Sequence, residues 1–61
     1  MAVSRTIAIS ALIDAAKVHA ETLRRHADVE DTEGGRRVVQ ADAARWQSMA
    51  DAAEIELTAL L

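Results

Sequence analysis

Two runs of apolar and small residues, each stepping alternately by three and four and separated by a single break, restrict this chain to a pair of helices. The first run is Thr6, Ile9, Ile13, Ala16, Ala20, Leu23 and Ala27; the second is Val39, Ala43, Trp46, Ala50, Ala53, Leu57 and Leu60. Steps of three and four keep successive side chains on one face of an α-helix, so each run is a continuous seam of the coiled-coil kind. Nothing interrupts the runs: there is no Pro, and the two glycines stand together at Gly34 and Gly35. The pattern predicts an all-α, antiparallel two-helix hairpin with helices over about 4–28 and 36–60, the whole 1–61 chain forming one helical-hairpin domain.

The break runs from Asp28 to Gly35, where acidic and turn-forming residues replace the period. Asp31 or Thr32 can cap the second helix, because a side-chain oxygen there accepts from the free N–H groups of a first turn, and Glu33 suits its positive dipole end. The glycines weaken that turn, so the regular second helix is expected from Arg36, with Glu33 as its earliest start. A connection this short returns the chain antiparallel. Pairing residues whose numbers sum to 66 sets Ala20 against Trp46, Ala16 against Ala50 and Ile9 against Leu57, so large meets small. A register one heptad away, with sums of 59, would set Ile13 against Trp46 instead.

The seams leave apolar residues over: Ile7, Leu12, Val18, Val38, Met49, Ile55 and Leu61 lie beside them or away from them. A chain of 61 residues also buries too small a fraction of its surface to be stable without help. The usual help is missing, since there is no Cys for disulfides or zinc sites, and 14 of the 31 apolar residues are Ala, which buries little area. Pairing of two hairpins into a four-helix bundle is the expected remedy: a homodimer, with Leu12 and Met49 flanking the seams and Ile55 near the open end as candidate partner-binding residues. The absence of Cys points to a reducing, cytoplasmic setting. The uncharged stretch after Arg5 loosely imitates a secretory signal, but Asp14 and Lys17 interrupt it, and it is too short to span a bilayer.

No residue set has the pattern of a catalytic or cofactor site, so the expectation is a non-enzymatic interaction protein with no cofactor and no metal. His19 and His26 are two helical turns apart, roughly 10 Å, too far to share one ion. Ser4, Ser10 and Ser48 have no identifiable base nearby, and Gly34-Gly35 lacks the strand before it and the Lys-Ser/Thr after it that a phosphate loop needs. Asp14, Glu21 and Asp28 form an acidic column on helix one, either a solvated face with local pairs (Glu21 with Arg25, Asp14 with Lys17, and Asp42 with Arg45 on helix two) or a ridge that docks on a basic protein surface. Arg24, Arg25, Arg36 and Arg37 bracket the break and are the alternative, nucleic-acid-binding set. Neighbouring carboxylates, no exposed aromatic, and a net charge of −3 weigh against that use. Trp46 is expected in the core, with a binding anchor as the alternative, since Trp is enriched at interface hot spots.

In length, acidity and hairpin pattern the chain resembles the Rop family of plasmid copy-number regulators, whose hairpins dimerise into a four-helix bundle that binds paired RNA hairpins. It also looks like the small Ala-, Arg-, Asp- and Glu-rich proteins of phages and mobile elements, some of which inhibit host defence or regulatory proteins by direct binding. These likenesses imply either an RNA-binding regulator or a stoichiometric inhibitor or regulator of another protein, with a purely structural assembly subunit as a further reading.

Overall fold

The computed structural model describes residues 4–60, which form two α-helices: α1, Arg5–Asp28, and α2, Glu33–Leu60. They lie against each other as an antiparallel hairpin with no strand among the described residues. The molecule is a slab 46 Å long, 22 Å wide and 12 Å thick, so it is two helices broad and one helix deep. Leu61, counted above among the spare apolar residues, lies outside the described residues.

Each helix starts on a side-chain cap. Ser4 is extended (φ −62°, ψ 148°), and its hydroxyl accepts from the Ile7 N–H at 3.2 Å, a cap that the seam pattern did not reveal. At the other end of α1 the Val29 N–H donates to the His26 carbonyl at 3.1 Å and the Glu30 N–H to the Ala27 carbonyl at 3.2 Å, which closes the helix while Arg25 and His26 sit in its negative last turn. Thr32 then caps α2: its hydroxyl accepts from the Gly35 N–H at 3.0 Å, and its carbonyl accepts from the Arg36 N–H at 3.0 Å.

Helix α2 therefore begins at Glu33, three residues before the expected Arg36, with both glycines inside its first turn and neither at positive φ. The cap outweighs the poor helix propensity of two glycines, and the real break is only Val29–Thr32. The two glycines are not equivalent. A side chain at Gly34 would meet nothing within 4 Å, whereas a Cβ at Gly35 would lie 2.9 Å from the Thr32 hydroxyl and 3.0 Å from a Glu30 carboxylate oxygen. Gly35 is thus the gap through which Thr32 and Glu30 fold back over the start of α2.

The core lies along the predicted seam, and all of it but Ile13 is alanine. Ile13, Ala16, Ala20 and Ala27 of α1 and Ala43, Ala50 and Ala53 of α2 are the buried hydrophobic residues, and no large side chain is completely buried. Ile9, Leu23, Val39, Trp46 and Leu57 are half-buried, while the seam's ends, Thr6 and Leu60, are exposed. Trp46 is a correction to the core assignment: alanines hold the helix axes too close to admit an indole between them, and the ring is displaced to one side. The cross-helix pairs Arg5 with Glu56, His19 with Trp46, Lys17 with Glu54 and Arg24 with Gln47 have residue numbers summing to 61, 65, 71 and 71, which bracket the 66 register and exclude 59.

Gly34→Ala is expected to stabilise the hairpin by about 0.5–1 kcal/mol through helix propensity alone. Gly35→Ala should lose stability, because its methyl group displaces the Thr32 cap, whose loss costs about 1 kcal/mol. Urea unfolding of the two variants followed by circular dichroism checks the opposite signs.

Candidate interaction surface

With side chains advancing about 100° per residue, the two sides of the alanine seam become the two broad faces of the slab. On one face Lys17 pairs with Glu54, and Arg24 donates to Gln47 at 3.1 Å, which in turn donates to Asp51 at 3.1 Å. This is a polar face laced across the helix junction. The other face carries Leu12, His19 and Leu23 from α1 and Trp46, Met49 and Leu60 from α2. Its cross-helix polar link is at the open end, where Arg5 bonds Glu56 at 3.0 Å.

At the centre of the apolar face the imidazole of His19 meets the indole of Trp46 edge to face, with ring centroids 4.5 Å apart and planes at 76°. Towards the open end Leu12 and Met49 are 44% and 45% exposed. Towards the loop the surface sinks into a hollow lined by Leu23, Val38, Val39, Ala41, Asp42 and Arg45. No polar side-chain atom among the described residues is buried without a hydrogen bond.

The structure separates the residues that the sequence grouped as partner-binding candidates. Leu12 and Met49 share the apolar face. Ile55 does not join them: it lines a separate shallow depression with Asp51, Glu54 and Thr58, on the side of α2 turned away from Met49. Asp14, Glu21 and Asp28 do form a column along α1, on its outer side and away from the apolar face. Glu21 is bonded to Arg25 at 2.8 Å, as expected for that spacing. Lys17, however, reaches across to Glu54 rather than back to Asp14, and no ion pair joins Asp42 to Arg45.

The four arginines near the break do not converge. Arg24 is bonded to Gln47, Arg25 to Glu21, Arg36 to the Glu30 carbonyl at 3.4 Å, and Arg37 to Glu33 at 2.9 Å. Each guanidinium makes its own local contact in the exposed surface, and no single acceptor draws the four together. The Nε2 of His26 lies 2.9 Å from a Glu30 carboxylate oxygen, two turns from His19. Among the described residues no group of three or more His, Asp or Glu side chains could hold a metal ion, and no helix is long and apolar enough to cross a membrane.

Lys17 is the chain's single lysine, and there is no Tyr or Cys. Its hydrogen bond to Glu54, together with that carboxylate's charge and smaller contributions from Asp14 and Asp51, raises its pKa above the ordinary 10.5. A raised folded-state pKa means that the ion pair's contribution is complete below pH 10.5 and is lost as pH climbs through the higher folded value. The thermal midpoint should therefore fall slightly over that alkaline interval, by an amount limited by solvent screening, and Lys17→Met should flatten the fall. A melting series from pH 9 to pH 12 checks this.

Comparison with protein-family models, with curated proteins and with solved structures finds no match to this chain, so its function is read from the geometry above.

Proposed function

We propose that this protein is a non-enzymatic protein–protein interaction module that works as a homodimer, two hairpins closing their apolar faces into a four-helix bundle, and that it acts as a stoichiometric inhibitor or regulator of another protein. The observation that carries the reading is the inversion of the usual burial order. Six alanines and Ile13 occupy the interior, while Leu12, Met49 and half-buried Trp46 share one face of a slab only 12 Å thick. A single alanine seam removes little apolar area from water, so the hairpin by itself lacks the burial that offsets chain entropy. The broad face measures 46 by 22 Å, roughly 1,000 Å², against the about 800 Å² per partner that a stable interface uses.

Closing that face leaves the outer side of α1 free, with the Asp14, Glu21 and Asp28 column available to a basic surface on the target. Asp14 and Asp28 have no ion-pair partner among the described residues. Carboxylates arranged in this way steer and select a partner more than they add raw affinity. The RNA-binding reading has less to support it, because Arg24, Arg25, Arg36 and Arg37 each bond a separate local acceptor and carboxylates stand among them.

Sedimentation equilibrium is expected to give twice the chain mass for the wild type and at least tenfold weaker association for Leu12→Glu, since each copy would then bury a carboxylate. A wild type that stays monomeric at every concentration overturns the dimer. The combined change Asp14→Asn, Glu21→Gln and Asp28→Asn should preserve the dimer but release a target protein that the wild type retains from its host's extract. Equal retention by both removes the acidic column from the mechanism.

A further inference from the structure

His19 stands at the middle of the apolar face and has no part in the function proposed so far. In the 66 register it is level with Gln47, and the midpoint of α2 falls between Trp46 and Gln47. Two such faces can stack about a two-fold axis in either of two ways. An axis along the hairpins leaves both loops at one end and sets α1 over the partner's α2; an axis across them opposes the loops and sets α1 over the partner's α1. The middle of one face covers the middle of the other in both. His19 is therefore covered whichever way the copies lie, against the partner's Trp46 in the first arrangement and against the partner's His19 in the second.

We infer that closure of this face requires His19 in its neutral form, so that the homodimer assembles in neutral and mildly alkaline solution and comes apart as the imidazole takes up a proton. The inference rests on the dimer reading above and adds its control by pH. In the single hairpin His19 is exposed, and its charged form is hydrated. The face around it carries Leu12, Leu23, Trp46 and Met49, so closure would take that charge out of water without a new counter-charge, which is costly. The edge-to-face contact with Trp46 does not offset the cost, because it already exists in one hairpin, with ring centroids 4.5 Å apart. The other charges of the face are balanced. On α2, Asp42 and Arg45 stand together at the hollow with opposite signs, and Glu56 is bonded to Arg5 of α1 at the open end. On α1 itself, His26 has its Nε2 2.9 Å from Glu30. A second copy brings the same balanced set. The separated hairpins then bind more protons than the dimer, and by linkage association strengthens as pH rises through the imidazole range, about pH 5 to 8.

Sedimentation equilibrium of the full chain at pH 8 and at pH 5.5 reads the effect, with circular dichroism on the same samples to show that the helices persist. The wild type is expected to associate at least tenfold more weakly at pH 5.5. His19→Phe keeps a ring against Trp46 but takes no proton, and His19→Gln is neutral and polar; both should associate equally at the two pH values. His26→Gln should keep the wild-type dependence, because the proton on His26 meets the Glu30 carboxylate. Equal association of the wild type at both pH values overturns the inference and leaves the dimer standing, as does a dependence that survives in both His19 variants or that His26→Gln removes. A wild type that is monomeric at pH 8 overturns the dimer and the inference together.

Discussion

Close approach of two helices along a line of alanines is the constraint from which the rest of this structure follows. Ala16, Ala20 and Ala27 of α1 and Ala43, Ala50 and Ala53 of α2 line the contact between the helices, none more than 7% exposed. Side chains this small let the backbones draw together, and helices drawn together leave little room for larger side chains on the line between them, Ile13 being the one that is buried there. The large residues are therefore displaced to the margins, Trp46 beside His19 and Leu23 at the rim of a hollow. What would be the interior of a thicker protein becomes one outer face of a thin one.

The other face is closed by a different means. Lys17 with Glu54, and Arg24 with Gln47 and Asp51, span the junction between helices in water, where each pair contributes little to stability. Their weight lies in sidedness. A slab with polar bonds across one face and apolar side chains on the other is two-sided, and those bonds disfavour burial of the polar face, because covering it would require desolvating charges already paired.

Most of the fold was legible because helical periodicity is a local property. The seams, the hairpin, the register near 66 and the buried alanines could all be read from spacing alone. The start of α2 was legible only as a range from Glu33 to Arg36 with Asp31 or Thr32 as its cap: a tally of propensities counts two glycines as a weakness, whereas the Thr32 hydroxyl on the Gly35 N–H makes the turn hold from Glu33. The Lys17–Glu54 pair and the His19–Trp46 contact were missed for another reason: both depend on how each helix is rotated about its axis as well as on its register, which one-dimensional spacing leaves free. The same rotation separates Ile55 from Leu12 and Met49, residues that share only a lack of place in the seam. The acidic column was visible as a column, but its position on the outer side of α1 required the hairpin.

The lone lysine has a chemical consequence of its own. Six of the seven basic side chains are guanidinium groups, so Lys17 carries the only side-chain amine. Its ammonium is bound to Glu54, and that contact favours the protonated, non-nucleophilic form. Acylating agents and amine-reactive tags therefore find one side-chain address on the whole molecule. It lies in mid-helix on the polar face, and it reacts only when it lets go of its carboxylate.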